Sequence, residues 1–218
     1  MFSRFLDSFP KSLNSKIESS LGIIASAYEQ YRKELGVCFN GGKDSVVLLD
    51  LVQRFHEENK CDFPMNSFFF KSPHEFPEMA EYVKNAENYW KQNFRVIESA
   101  SLQQGLSTIV DKYGVNAIFL GVRQSDPKGG NLLPFTPTTE GWADAMRIFP
   151  LLEWEYSDIW EYLDVMKLPI CDLYKRGYTS IGSPATTKPN PHLYDPLKGE
   201  YKHARELKDG SLERLGRL

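Results

Sequence analysis

The stretch "VCFNGGKDSVVLLDLV", residues 37–52, places two glycines, a lysine and an aspartate between two apolar runs. The first run, "GVCF" over 36–39, is short and β-prone. The second, "SVVLLDLVQRFHEEN" over 45–59, has Val46, Leu49, Val52 and Phe55 at helical spacing, so that they face inward. The glycines therefore sit where a strand hands over to a helix. Gly41 and Gly42 allow backbone angles closed to other residues, and successive amides there can converge on an oxyanion with no Cβ in the way. The helix that follows presents its positive end to the same point. A phosphate ligand is the natural reading, against the plainer one of a turn that lets a helix pack on its strand. Two familiar nucleotide signatures are absent. A Walker loop needs Gly where Val37 stands and Ser or Thr where Asp44 stands, and the dinucleotide fingerprint needs a third glycine in place of Ser45.

Outward from this turn the chain alternates strand and helix. Upstream, Ile17, Leu21, Ile24, Tyr28, Tyr31 and Leu35 recur at steps of three and four on one face of an amphipathic helix, with Ser15 and Glu18 suited to a capping box at its start. Downstream, "MNSFFFK" (65–71) and "FRVIES" (94–99) read as strands around a helix, "PEMAEYVKNAENYWKQN" (77–93). A helix over 101–113 then precedes the apolar strand "AIFLGVR" (117–123). Short connections between such elements predict an α/β fold, a doubly wound and mostly parallel, Rossmann-like sheet covered on both faces. Ligands in such sheets lie beyond the carboxyl ends of the strands, near the switch point in strand order. "FNGGKDS" and "GVRQSDP" both leave strands at that edge. Prolines and glycines crowd 127–141, strand-like "RIFPLLEW" (147–154) follows, and "YSDIWEYLDVMK" (156–167) returns to helical periodicity. Beyond 169 the chain reads as loop with one short helix near 201–208, a length of loop that implies function or disorder. With no repeat or second core in the pattern, residues 1–218 read as a single domain, with a core over 16–168 and a C-terminal substrate-binding extension over 169–218.

Of the 218 residues, 41% are hydrophobic and 25% charged, an ordinary globular mixture. The net charge of −3 offers no general attraction for nucleic acid or anionic membranes, so phosphate binding must come from local donors. No apolar run approaches the roughly 20 residues of a membrane span, and the N-terminus lacks a signal-peptide core. A cytoplasmic monomer is expected, while "MFSRFLDSFPK" at 1–11, a poor transit peptide, leaves a mitochondrial address open. Cys38, Cys61 and Cys171 are far apart without CxxC spacing, which argues against a disulfide framework or a zinc site. No histidine pair has metal-ligand spacing.

Gly-Gly-x-Asp-Ser between a strand and a helix resembles the pyrophosphate loop of the N-type ATP pyrophosphatases, which cleave ATP between the α- and β-phosphates. Further segments are more specific. Asn40, with "FPEM" (76–79), "GVRQSDP" (121–127), "GWADAMRIFPLLEW" (141–154), "PICDLYKRGYTSIGS" (169–183), "PNPHL" (189–193) and "ARELKDGSLERLGR" (204–217), resembles in order the eukaryotic FAD synthetases, or FMN adenylyltransferases. These belong to the PAPS reductase-like branch of that superfamily. The resemblance covers residue 16 to the C-terminus, and the molybdopterin-binding domain fused to animal versions is absent from it.

The resemblance implies a reaction, FMN plus ATP giving FAD and pyrophosphate, and a set of roles. Phe39, Asn40 and the backbone of Gly41, Gly42, Lys43, Asp44 and Ser45 would cradle the pyrophosphate side of ATP. Asp44 would help place Mg²⁺, largely completed by substrate phosphates. Phe70, Lys71, Gly121 and Arg123 would serve the nucleotide, although strand-end packing accounts for Phe70 equally well. Asp126 would contact the flavin side, and Trp142, Arg147, Tyr178, Arg214 and Arg217 would join it there. Asn40, Asp44, Asp126, Arg147 and Arg217 are the catalytic candidates. One departure matters: relatives carry an aspartate where this chain has Thr139, and Glu140 is its candidate replacement. The attacking FMN phosphate is itself a nucleophile, so catalysis is expected from positioning and cationic screening. His192 matches a family position. The competing readings are a sulfonucleotide reductase or tRNA thiolation enzyme on the same loop, and a non-catalytic flavin- or nucleotide-binding descendant. The first lacks the cysteine signatures such enzymes use.

Overall fold

The structure is a computed structural model that describes residues 3–71, 74–127 and 129–218; Met1 and Phe2 of the N-terminal segment weighed for targeting lie outside the described residues. In chain order the helices are α1 (Ser3–Leu6), α2 (Lys11–Tyr31), α3 (Lys43–Glu58), α4 (Pro77–Trp90), α5 (Leu102–Tyr113) and α6 (Tyr156–Met166). The strands are β1 (Leu35–Phe39), β2 (Asn66–Lys71), β3 (Arg95–Glu98), β4 (Ala117–Phe119), β5 (Phe135–Pro137), β6 (Met146–Ile148), β7 (Tyr194–Asp195) and β8 (Glu200–Tyr201). The chain divides into two compact units, one of Met1–Asn40, Asp44–Lys71 and Asn93–Trp154, the other of Gly41–Lys43, Ser72–Gln92 and Glu155–Leu218.

The first unit holds a six-stranded sheet in the order β3-β2-β1-β4-β6-β5, parallel except where β5 runs against β6. This is the mostly parallel α/β, Rossmann-like fold expected. The strand order turns back between β1 and β4, where Leu35 pairs Ala117 and Val37 pairs Phe119. The predicted switch point is therefore real, with the glycine turn leaving one of its strands and "GVRQSDP" the other. On one face Leu106 and Ile109 of α5 pack with Phe68, Ile97 and Ile118 of the strands, and Val115 closes the cluster. In α3, Val46, Val47, Leu48, Leu49, Leu51 and Val52 are all buried. At about 1.5–3 kcal/mol for each large side chain removed from water, α3 is held by its core contacts rather than by helix propensity. The inward set is wider than the expected stripe, and Phe55 is only half-buried, packing on Tyr28 at 5.0 Å.

Several boundaries differ from expectation. The N-terminal helix α2 starts at Lys11 behind Pro10, so Ser15 lies inside it and donates to the Ser12 carbonyl rather than forming a capping box with Glu18. Leu35 continued the helical period but is the first residue of β1. The strand of "AIFLGVR" stops at Phe119, because its second half bends into the site loop, and "RIFPLLEW" is strand only to Ile148 before a turn. Near 201–208 there is no α-helix but the end of the β7–β8 hairpin and a 3₁₀ turn over Ala204–Glu206.

In the second unit α6 begins with a capping box between Glu155 and Asp158 and buries Tyr156, Ile159, Trp160 and Leu163. The extension after it is ordered by side chains acting as backbone partners. Asn190, fully buried, donates to Thr179 Oγ1 at 3.0 Å and to the Leu212 carbonyl at 2.8 Å. Tyr156 donates its hydroxyl to the Ala204 carbonyl at 2.7 Å. The chain end joins by an antiparallel bridge between Thr187 and Arg217.

Candidate active site

In the first unit the site is built around one buried cation. Arg123 is 1% exposed, although it lies in the loop after β4. Its Nε meets Asp44 Oδ1 at 2.7 Å, and a terminal nitrogen lies 3.9 Å from Asp126 Oδ1. The Arg123 amide also donates to Asp126 Oδ2 at 3.0 Å, and the Asp126 amide returns a bond of 3.0 Å to the Arg123 carbonyl. A guanidinium so far from water is tolerable only with carboxylates in contact, and here it has one from the start of α3 and one from its own loop. The planar fork thus fixes both acids relative to the helix terminus. Gly121 makes the approach feasible: a Cβ there would sit 3.0 Å from the backbone of both Asp44 and Ser45. Ser45, also buried, accepts from the Asn40 amide at 3.3 Å across the turn, while the Asn40 side chain is exposed.

Further along this unit, Arg147 stands on β6 opposite Thr136, donates to the Pro137 carbonyl at 2.8 Å and lies 5.8 Å over the Phe149 ring. Thr139, Glu140 and Trp142 occupy an exposed turn closed by a 3.1 Å bond from the Trp142 amide to the Thr139 carbonyl, and Trp142 is 41% exposed. Phe39 is buried and stacked on Phe94 at 4.7 Å. Phe70 lies against Gly105 of α5, and Lys71 pairs with Glu98 at 2.8 Å on the next strand.

In the second unit lie Gly41, Gly42 and Lys43 of the turn. Gly41 has φ of 74°, and a Cβ there would strike Met79 of "FPEM". The turn is thereby locked against α4 in a conformation that L-residues resist. Lys43 is 2% exposed. Its amide donates to the Tyr174 hydroxyl at 2.7 Å, its ammonium lies 5.2 Å over the Tyr156 ring, and it is paired with the Glu213 carboxylate. Glu213, itself buried, has its carbonyl held by Thr179 Oγ1 at 2.5 Å. Arg217 lies over Gly182, where a side chain would collide with its guanidinium, and reaches Ser180 Oγ at 3.5 Å. Burial, and secondarily the charge of Arg214, push the Arg217 guanidinium below its ordinary pKa. A guanidinium whose charge is disfavoured in this way would gain from a nearby anion. Tyr178 is half-buried, edge-on to Phe76 at 5.5 Å, and His192 is exposed with its amide bonded to Asn190 Oδ1 at 3.0 Å.

A profile of the phosphoadenosine phosphosulfate reductase domain matches residues 34–108 and 90–189. The chain is also 37% identical over 212 residues to a probable FAD synthase of Schizosaccharomyces pombe, covering 94% of this chain and 80% of that protein. It belongs to the FAD synthase family, within the phosphoadenosine phosphosulfate reductase domain group. Solved members agree in fold. A yeast FAD synthetase in complex with FAD superposes with a TM-score of 0.80 at 25% identity, covering 96% of this chain and 93% of that one. The Candida glabrata FMN adenylyltransferase in complex with FMN and an ATP analogue superposes at 0.88 with 24% identity, covering 94% and 90%.

Within this FAD synthase framework, the structure gathers Asn40, Asp44, Ser45, Gly121, Arg123 and Asp126 at the switch point of the sheet. It gathers Gly41, Gly42 and Lys43 with the tail residue Glu213 in the other unit, where Arg214 and Arg217 also lie. Three residues of this second group, Tyr156, Tyr174 and Glu213, were not singled out from sequence. The one available signal was Glu213, an acid in the otherwise basic "LERLGR". Burial pushes the Cys38 thiol up to about 12 and Cys171 up to about 11, and it also raises Cys61. None is an activated thiolate of the kind that thiol chemistry requires.

Proposed function

We propose that this protein transfers AMP from ATP to the phosphate of FMN, giving FAD and pyrophosphate. The observation that carries the proposal is the 37% identity, over 94% of the chain, to a probable FAD synthase. The site chemistry supports it. An FMN phosphate oxygen attacks the α-phosphorus of ATP, the new P–O bond forms, and the bond to the β-phosphate bridge breaks with pyrophosphate leaving. The attacking phosphate carries about −1.5 to −2 charge at neutral pH, so it needs no strong base but must be brought against a second anion. Amides of the glycine turn and the α3 terminus, other than the Lys43 amide held by Tyr174, bind the departing diphosphate. Arg214 and Arg217 offset the charge of the FMN phosphate, while Asp126, Arg147, Tyr178 and Trp142 orient the flavin side. Arg123 acts on the reaction by holding Asp44 and Asp126 in place. Glu140 is the acid at hand for the aspartate that relatives carry at position 139.

Magnesium belongs to this proposal. Among the described residues there is no group of three His, Cys, Asp or Glu able to hold a metal. The donors fit an ion that keeps its waters and takes most of its ligands from phosphates, with Asp44 as the protein oxygen. Such an ion, when bound, neutralises charge on the triphosphate. A monomer working in the cytoplasm, without nucleic acid or membrane, with residues 1–218 acting as one functional domain, completes the reading. The charge of −3 offers no general attraction for nucleic acid, and no helix among the described residues is long and apolar enough to cross a membrane.

The test is incubation of the purified protein with FMN, ATP and Mg²⁺, with flavins resolved by chromatography and pyrophosphate assayed in parallel. FAD and pyrophosphate in equal amounts are expected, and both are lost in Asp44→Ala protein that remains folded. FMN and ATP binding without FAD formation would overturn the catalytic reading in favour of a binding descendant.

A further inference from the structure

Lys43 sits in the middle of the glycine turn, where a free ammonium would face incoming phosphates. Its ammonium is not free for that task. It is 2% exposed, paired with the Glu213 carboxylate, and covered by the Tyr156 ring at 5.2 Å. The Lys43 amide, one of those that could face an anion, is instead taken by Tyr174 at 2.7 Å. Glu213 is equally committed: it is 7% exposed, Thr179 holds its carbonyl, and Asn190 ties that threonine to the Leu212 carbonyl. Glu213 immediately precedes Arg214 and lies four residues before Arg217. A buried ion pair is costly to break, because loss of either partner strands the other charge away from water.

We propose that the Lys43–Glu213 pair is a latch that couples the glycine turn to the arginine-bearing tail, so that Glu213 is a positioning residue for the reaction and Lys43 acts through the turn rather than as a phosphate ligand. The coupling is reciprocal. A tail docked by FMN phosphate holds Glu213, Glu213 holds Lys43, and the turn keeps its anion-binding shape; pyrophosphate in the turn holds the tail by the same contacts. The FMN half of this statement rests on the proposed function.

Because each partner belongs to a different ligand's segment, the crossed effects are diagnostic. Lys43→Met, on the turn, is expected to weaken FMN binding, and Glu213→Gln, on the tail, is expected to weaken binding of magnesium pyrophosphate, each by about tenfold. Glu213→Asp should restore part of that loss. The double variant Lys43→Met/Glu213→Leu should lose no more than the worse single variant, since a latch is broken only once. It leaves no lone buried charge and carries the measurement if a single variant does not fold. Additive effects overturn the proposal, with Lys43→Met weakening pyrophosphate alone and Glu213→Gln weakening FMN alone. So does a double variant in which only pyrophosphate binding falls. If the wild-type protein does not bind FMN, the functional reading fails separately. The latch is then read from amide hydrogen exchange of residues 210–218, which should speed up about tenfold in Lys43→Met and is unchanged if there is no latch.

Discussion

A single buried guanidinium organises the acids of the first unit, and its chemistry gives a sharp expectation. Replacing Arg123 by Met removes the cation that Asp44 and Asp126 both contact, a loss of about 1.5–3 kcal/mol in stability measured by urea unfolding. Arg123→Lys should rescue little of this, because an ammonium cannot reproduce a fork that reaches two carboxylates at 2.7 Å and 3.9 Å. Rescue to wild-type stability and turnover by lysine would show that charge alone matters. Gly121 offers a second test with no charge involved. A methyl group would press on the Asp44 and Ser45 backbone at 3.0 Å, so Gly121→Ala should cost about 1–3 kcal/mol and raise KM for ATP more than KM for FMN. Kinetics with equal change in both constants would detach that contact from the nucleotide.

At the scale of elements, α2 is fastened by an interior polar contact. Ser20, fully buried, donates to the Pro150 carbonyl at 2.7 Å and accepts from the Trp154 indole at 2.9 Å. Ser20→Ala strands two groups and should lower the urea midpoint by an amount equivalent to about 1–3 kcal/mol, with the m-value and FAD-forming kinetics unchanged. An unchanged midpoint would mean that water has replaced the hydroxyl. The contrast between this contact and the elements it joins explains what the sequence discloses. The helices α3 to α6 and strands β1 to β3 carry period and punctuation within a dozen residues, so their pattern is local, and so is the glycine turn at 41–45. The end of β4 at Phe119 is not local: it is set by Gly121 approaching the turn and by Arg123 finding Asp44, a residue far away in sequence. The same applies to the extension. Asn190, Thr179 and Glu213 look like ordinary loop polars, and only the closed chain gives them buried partners. Ser15 and Glu18 show the opposite failure, a correct local motif overridden because Lys11–Asn14 could already extend the helix.

Taken over the whole molecule, burial of titratable groups sets the pH range of stability. Cys38 and Cys171 are pushed up to about 12 and about 11, and burial drives the Tyr28 and Tyr82 hydroxyls well above their usual range. These groups keep their protons in the folded chain at a pH where the unfolded chain has released them. The unfolded state then binds fewer protons, and stability falls as pH rises. Their contribution is complete below about pH 8.5, the ordinary thiol value, and is withdrawn as pH climbs through the folded values. On the acid side the sign reverses. Burial lowers the pKa of both His56 and His203, whose charging in the unfolded chain withdraws stability as pH falls below about 6.5. Thermal unfolding from pH 5 to 11 should therefore give a plateau between about 6.5 and 8.5 with losses on both flanks. The alkaline flank is the more specific, because it can be assigned. Removing the Cys171 thiol takes one proton from the balance, so the fall in stability between pH 8.5 and 10 should be shallower in Cys171→Ala by on the order of 1–2 kcal/mol, whatever its stability at neutral pH. Parallel curves for the two proteins would mean that the thiol is not shielded in the folded state. The buried-cysteine argument against thiol chemistry at this site would then fail with it.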